Sequence, residues 1–109
     1  MAYDEGLAQV LRDALDGHQG VDERKMFGGL CFTLNGNMLC GVHAKGGMAR
    51  VGKDNEAKAL EIEGVAPLSF TGRPMGGMVD VSDDAFEDDT RRGAILALCL
   101  DFVGPMKAK

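Results

Sequence analysis

The chain has 109 residues, a formal net charge of −5 at pH 7 and a hydrophobic fraction of 45%. This length fits one domain rather than two, and the composition is typical of a folded globular protein rather than a disordered one. The acidic balance argues against nonspecific binding to duplex DNA, because a surface that binds DNA has to offset the phosphate charge.

Residues 4–16 are predicted to form an amphipathic helix. The apolar side chains that recur there at helical spacing are Leu7, Val10, Leu11, Ala14 and Leu15. Asp4 and Glu5 stabilise the positive N-terminal end of such a helix, and Gly17 is a suitable stop. A helix of this kind needs a sheet or another helix to cover its apolar stripe.

The next segment changes to a pattern of strands and turns. A first strand is predicted over Arg24–Phe27, and it ends at Gly28 and Gly29, where the chain can bend or bulge. Further on, Gly46-Gly47 turns the chain into a strand over Met48–Val51. Links this short join antiparallel strands, since a parallel crossover needs about a dozen residues or more. We therefore expect an antiparallel meander of about four strands.

The strongest turn signal in the chain is Asn35-Gly36. It lies between two apolar runs, Leu30–Leu34 and Met38–His43, and Asn-Gly in such a position favours a two-residue β-hairpin. With this turn and regular pairing, Cys31 would lie directly opposite Cys40 on one face of the sheet. Phe32 shares the other face with Leu30 and Leu34, and we expect it to be a core residue. The same is expected of Phe27, which closes the first strand.

The following segment is predicted to hold a short helix and a strand pair. Its parts, in chain order, are a helix over Lys53–Ile62 capped by Asp54 or Asn55, a strand over Leu68–Phe70, a glycine-rich loop over Thr71–Gly77 that turns at Gly72 and Pro74, and a strand over Met78–Val81.

A final helix is predicted to begin at Asp88 and Asp89, after a turn capped within 82–84, and to end at Gly104-Pro105, followed by a frayed tail. The run Ala94–Leu100 places apolar side chains almost all around this helix. One buried stripe does not require so many, and an uncovered apolar side often marks an association site. We therefore expect a homodimer with this helix as its contact.

Together these elements predict an α+β fold in which N-terminal and C-terminal helices pack against an antiparallel sheet. We expect a single domain over residues 1–109 with an ordered core of about 3–104. The three cysteines lack CxxC spacing, and the N-terminus does not resemble a secretory signal. The longest apolar run is far shorter than the ~20 residues that a membrane span needs. We therefore expect a cytoplasmic protein without membrane association.

Cys31, Cys40 and His43 are residue types that bind zinc. In the predicted hairpin, however, His43 points away from both cysteines, and a fourth ligand is missing, so we predict no metal site and no cofactor. Cys40 as a catalytic nucleophile would need a base within hydrogen-bond distance. His43 is the nearest histidine in the sequence, and it lies on the other face of the predicted sheet.

Several residues are candidates for binding an anion or a partner. The basic ones on or beside the predicted sheet are Arg24, Lys25, Arg50 and Arg73. If neighbouring strands bring them together, they form a patch suited to an acidic peptide, a nucleotide or a carboxylate; otherwise they form a solvated face. In the glycine-rich loop, backbone N–H groups and Arg73 can seat an anion. The seven methionines are expected to fill gaps in the core, and the alternative is that Met75 and Met78 are exposed and form an adaptable contact surface. The alternative for that loop is a structural role in which Arg73 pairs with a carboxylate.

Four segments, in their order and spacing, resemble the N-terminal domain of the TfoX/Sxy proteins, which regulate bacterial natural competence. These segments are Lys25-Met-Phe-Gly-Gly29, Asn35-Gly-Asn-Met-Leu-Cys-Gly-Val42, Arg50-Val-Gly52 and Phe70-Thr-Gly-Arg-Pro-Met75. The resemblance runs from about Tyr3 to Val103. Full-length members also carry a second, helical domain, and the sequence departs from the family at Gly76-Gly77-Met78, where a lysine and an aromatic residue are common.

The resemblance implies an α+β domain with a role in regulation rather than catalysis, with no cofactor and no catalytic residues. The leading hypothesis is therefore a non-enzymatic module that acts through a protein partner, and the family suggests a partner related to transcription. Two alternatives stay open. One is a small-molecule or anion-binding module using the Arg73 loop, and the other is a thiol-dependent enzyme at Cys40.

Overall fold

A computed structural model describes residues 4–26, 29–43, 46–70 and 73–107, with the backbone alone at 26, 68–70 and 73–76. The elements are α1 (Glu5–Leu15), β1 (Val21–Met26), β2 (Gly29–Leu34), β3 (Asn37–His43), β4 (Gly46–Arg50), α2 (Lys53–Leu60), β5 (Val65–Phe70), β6 (Arg73–Val81), α3 (Asp83–Glu87) and α4 (Asp89–Val103). Helix, meander, helix, strand pair and helix follow one another as predicted. The α+β class is confirmed.

The six strands form one antiparallel sheet in the order β1-β2-β3-β4-β6-β5. The predicted meander supplies the first four strands. The chain then passes through α2 and β5 before β6 pairs with β4. Helices α1, α3 and α4 contact β3 or β4, and α2 contacts β5 and β6 as well as α4. Among the described helices, none is both long enough and apolar enough to cross a membrane.

The main core lies between the sheet and the helices. Leu30, Phe32 and Leu34 of β2 face it together, as the alternation of a strand predicts, and Phe32 is fully buried. The helices contribute Leu7, Leu11, Phe86, Ile95, Cys99 and Val103 to the same cluster. The predicted core position of Phe27 lies outside the described residues.

The Asn35-Gly36 turn forms as predicted. Asn35 has φ 53° and Gly36 has φ 85°, so both residues are left-handed, as a type I′ hairpin turn requires. Leu34 pairs with Asn37, which leaves a two-residue loop. The two turn residues specify this hairpin by themselves, and the structure has it at the predicted position.

The pairing predicted for the cysteines is wrong. The register shifts between Phe32 and Thr33, so that Phe32 lies opposite Cys40 while Cys31 lies opposite Gly41. Such a bulge adds one residue to β3 and reverses which side chains share a face. Cys40 belongs to the helix-side core, whereas Cys31 belongs to a second cluster on the other face of the sheet.

The predicted loop over Thr71–Gly77 is mostly strand. β5 extends to Phe70, β6 begins at Arg73, and these two residues are paired, so Arg73 and Pro74 lie in a strand and only positions 71 and 72 separate the two strands. Pro67 pairs with Val79 but Ser69 pairs with Pro74, so β6 carries an irregular segment between its two paired parts. Alternation and turn composition do not reveal an interruption of this kind, because it depends on contacts with α2 and β4.

Two predicted helix boundaries need correction. Helix α2 begins after Gly52 without a side-chain cap, and Asn55, predicted as a possible cap, is buried and donates from Nδ2 to Asp101 Oδ2 at 3.1 Å. The tail after α4 is not frayed at its start, because Met106 packs against the core and the Lys107 carbonyl accepts a hydrogen bond from Asn37 Nδ2 at 2.8 Å. By contrast, α4 begins at Asp89, within the predicted start, and Asp88 is its N-cap.

Candidate functional site

The three cysteines are buried free thiols in different places. Cys40 in β3 and Cys99 in α4 lie in the helix-side core, and Cys31 lies on the other face of the sheet. Burial raises the pKa of Cys40 well above its ordinary value, and its neighbours Cys99 and Cys31 raise it further. Burial also raises the pKa of Cys99 to about 12. Because the thiolate is the nucleophilic form, this environment opposes thiol chemistry at Cys40.

His43 faces away from Cys40. Its Nε2 lies 3.1 Å from Oδ1 of Asp80, which comes from β6. Among the side chains that the structure describes, no group of three or more His, Cys, Asp or Glu residues is arranged to hold a metal ion. The zinc hypothesis therefore finds no support in the positions of Cys31, Cys40 and His43.

Of the basic residues named from the sequence, the three whose side chains are described, Arg24, Lys25 and Arg50, are not brought together on one surface. Arg24 and Lys25 are exposed neighbours on the edge strand β1, where successive side chains point to opposite faces. Arg50 ends β4, three strand spacings away, which is about 14 Å at the usual spacing. Arg73 lies in β6 opposite Phe70. The side chains of Arg73 and Met75 are outside the described part of the chain.

Met78 is buried, which agrees with methionine as a gap filler and excludes it from an exposed contact surface. The residue is only 8% exposed and packs with Cys31 and Met48 on the face of the sheet opposite the core. Gly29 is the first residue of β2, at the predicted bend, and Gly28 and Gly72 lie outside the described residues.

A cleft of about 310 Å³ opens where β4 leads into α2, and we call it the Arg50 cleft. It is lined by Arg50, Gly52, Lys53, Asp54, Gly77 and Phe102. The Cζ atom of Arg50 lies 5.4 Å from the centroid of the Phe102 ring, within the range of a cation–π contact. Phe102 thus contacts the guanidinium of Arg50 through its ring rather than through a hydrogen-bond acceptor.

Backbone hydrogen bonds to Gly77 build the floor of the Arg50 cleft. The Gly77 carbonyl accepts from the backbone N–H groups of Val51 at 2.9 Å and Gly52 at 3.0 Å. The Gly77 N–H in turn donates to Glu56 Oε1 at 2.8 Å. Through these bonds, the end of the glycine-rich segment that the sequence singled out reaches the cleft beside Arg50.

Gly52 lets Phe102 approach the backbone. Its φ is 85°, which disfavours other residues, and a Cβ at this position would lie 2.3 Å from the Phe102 ring. The glycine in the segment Arg50-Val-Gly52 was visible in the sequence as part of the family resemblance. Its contact with Phe102 joins residues fifty positions apart, so no local pattern could indicate it.

The charge around the Arg50 cleft favours an anionic group. Lys53 is the first residue of α2, and the N-terminus of a helix carries a partial positive charge. Arg50 adds a permanent cation with several donors, while Asp54 is the opposing charge at the rim. The arrangement can bind a carboxylate or phosphate through an arginine whose orientation is already restricted.

The family model of the TfoX N-terminal domain matches residues 13–103. The matched segment includes all six strands, helices α2, α3 and α4, the end of α1 and the whole Arg50 cleft. No curated protein and no solved structure matches the chain.

Proposed function

The chain belongs to the TfoX N-terminal domain family, as its sequence segments suggested, and from this premise we propose that it is a non-enzymatic regulatory module that binds a protein partner at the Arg50 cleft. One observation carries the proposal, namely that Arg50 lies over Phe102 in an open cleft. The partner presents an acidic side chain to Arg50 and an apolar surface to Phe102. A transcription-related partner remains the proposal that the family suggests.

Arginine and aromatic residues are enriched among the few side chains that carry most of the binding energy of protein interfaces. Arg50 and Phe102 are both partly buried and in contact before any partner arrives. Binding therefore requires less ordering of side chains than it would for a free arginine. The domain has a net charge of −5, so the cations Arg50 and Lys53 at the cleft give an acidic segment a local attachment point on an otherwise acidic protein.

Replacing Arg50 with alanine is expected to weaken partner binding by about 30-fold, which corresponds to the ~2 kcal/mol of a hot-spot residue. The matched control is Arg24→Ala, which removes an exposed arginine from β1 far from the cleft. A protein captured from native lysate by the wild type and Arg24→Ala, but not by Arg50→Ala, is the expected partner, and calorimetry with that purified protein measures the loss. Equal capture by all three would refute the role of the cleft.

A small anion is the second candidate for the same cleft. Its volume of about 310 Å³ is at the lower end of the range of ligand pockets, and Arg50 and Lys53 supply cations. Thermal-shift measurements with phosphate, nucleotides and acidic metabolites separate this candidate from the first. Stabilisation by one of these compounds that disappears in Arg50→Ala and persists in Arg24→Ala would favour a small ligand over a protein.

We also propose that two copies associate through the outer side of α4. The side chains of Leu98 and Leu100 pack against the core but are only partly buried. Gly93, Ala94 and Ala97 of the same helix are exposed to solvent. An antiparallel pairing lets the small residues meet.

Ala97→Glu is expected to convert a dimer into an 11.6 kDa monomer, because it places two like charges at the centre of the contact. Ala97 is exposed, so the variant should keep its fold, unlike a change at Leu96, which is 5% exposed. Ala57→Glu, an exposed alanine of α2, is the control and should stay dimeric. Sedimentation equilibrium decides, and a wild-type monomer at high micromolar concentration would end the dimer proposal.

A further inference from the structure

One edge of the sheet is left open by β1. Among the strands that the structure describes, β1 is paired on one side only, with β2, and residues 22–25 along it are exposed. An unpaired strand edge is a template on which a further strand can form unless the protein blocks it. The segment Val21–Lys25 contains no proline, so each of its residues has an N–H group to offer to a partner strand. We call this segment the β1 edge.

The backbone of the β1 edge points free polar groups outward at alternate residues. The Asn35 N–H donates to the Gly20 carbonyl at 2.8 Å, and this pair continues the register of β1 and β2. Hydrogen-bonded and non-hydrogen-bonded pairs alternate along an antiparallel ladder, so every second residue after Gly20 also bonds towards β2. The residues between them point their N–H and C=O groups away from the sheet, and these are Val21, Glu23 and Lys25.

The charged side chains of the β1 edge alternate in sign along each face of the strand. Asp22 and Arg24 lie on the face opposite the core, because Arg24 is paired with Cys31, which belongs to the cluster on that face. Glu23 and Lys25 lie on the helix side. Charges of one sign along an edge repel a second copy and protect the strand from pairing. Opposite charges two residues apart instead match those of a second copy that runs antiparallel.

We propose that two copies of the chain pair antiparallel through their β1 edges, about a two-fold axis that passes through Glu23 perpendicular to the sheet. Asp22 then lies directly opposite the partner's Arg24, in a pair without backbone bonds, where Cα atoms approach to about 4.5 Å. Opposite charges in such a position stabilise the pairing of strands. Val21 exchanges backbone hydrogen bonds with the partner's Lys25, and Glu23 exchanges them with the partner's Glu23. The contact involves neither the Arg50 cleft nor α4.

The two glutamates that meet at the axis are neutralised within their own chains. Glu23 accepts hydrogen bonds from Arg12 Nε at 2.5 Å and from Arg12 Nη2 at 2.6 Å, and these bonds lower the pKa of its carboxyl group. An arginine therefore accompanies each glutamate to the contact, and the four side chains together carry no net charge. For this reason the alignment of Glu23 with its own copy brings no uncompensated repulsion.

The β1 contact is expected to be weak, because its ion pairs are exposed to solvent. We expect a Kd in the millimolar range, so that the α4 contact alone decides the association state at micromolar concentration. The β1 contact is then occupied where copies are held close together, as within a larger assembly.

The test is the concentration dependence of association in the Ala97→Glu background, where the α4 contact is removed. Diffusion NMR at millimolar concentration is expected to show dimers, and the amide signals of Val21, Glu23 and Lys25 should shift with the fraction of dimer. Arg24→Glu should lower the association constant by about 10-fold or more, because like charges replace both cross-strand pairs. The adjacent Lys25→Glu changes the net charge equally but lies opposite the partner's Val21, so it should lower the constant by less than about threefold.

An exchange of charges between two variants makes the test specific for this register. Asp22→Arg leaves two arginines on the open face of β1, and Arg24→Asp leaves two aspartates, so neither variant should pair with itself. Both positions are exposed, so both variants should keep their fold. Mixed at equal concentration, the two variants should recover the association constant of the parent, since every ion pair forms again between the two chains.

The proposal fails if Ala97→Glu remains a single copy at millimolar concentration, because the charges then only protect the edge. It also fails if Arg24→Glu and Lys25→Glu weaken association equally, or if the two exchange variants do not associate when mixed. Shifts of the β1 amide signals that a different protein causes, in the absence of self-association, would assign the edge to a strand of that protein instead.

Discussion

Replacing Phe32 with alanine is expected to lower the free energy of unfolding by about 3–5 kcal/mol. Phe32 is 0% exposed and lies at the centre of the core between β2 and the helices. Truncation removes its burial and leaves a cavity that a paired strand cannot collapse to fill. Since a domain of this size is stable by about 5–15 kcal/mol, the variant should melt far below the wild type or fail to fold at 37 °C.

Denaturant unfolding followed by circular dichroism measures the loss at Phe32. Phe32→Leu is the matched variant, because it keeps an apolar side chain in the same place and should retain most of the stability. A loss below about 1 kcal/mol in Phe32→Ala would contradict the assignment of this β2 face to the core.

Gly47→Ala is expected to lower the free energy of unfolding by about 1–3 kcal/mol through overpacking. A Cβ at Gly47 would lie 2.2 Å from Cε2 and 2.5 Å from Cδ2 of Phe86, and 2.9 Å from the carbonyl oxygen of Gly41. Phe86 is fully buried in α3 and has no free space into which to move. The new methyl group therefore forces α3 away from β4, against which it packs.

The control for Gly47 is a glycine with room around it. Gly93 lies within α4, and a Cβ there meets nothing within 4 Å, so Gly93→Ala should raise the free energy of unfolding by about 0.5–1 kcal/mol. Thermal unfolding compares the two variants, both made in the Ala97→Glu background so that association through α4 does not contribute. If the double variant Gly47→Ala/Phe86→Leu regains part of the stability lost in Gly47→Ala, the Phe86 ring is the source of the clash. If Gly47→Ala is as stable as the wild type, the predicted clash does not exist.

The sequence by itself determined those features that depend on neighbours in the chain. Asn35-Gly36 specifies its hairpin because both residues tolerate a left-handed backbone, and Asp4 and Asp88 cap their helices through bonds to residues two or three positions away. The alternation in β2 assigned Phe32 to the core because a strand face repeats every second residue. The order of elements followed from such local signals, and so did the fold class.

Only the tertiary structure decided how distant segments meet. A bulge of one residue in β3 moved Cys31 to the face opposite Cys40, since every later side chain changes face when the register shifts by one. The Arg50 cleft depends on Phe102, which comes from a helix remote in the chain, and on Gly77, whose backbone bonds to Val51 and Gly52 interrupt β6. These arrangements arise from packing and hydrogen bonds between elements, and local residue patterns carry no information about such contacts.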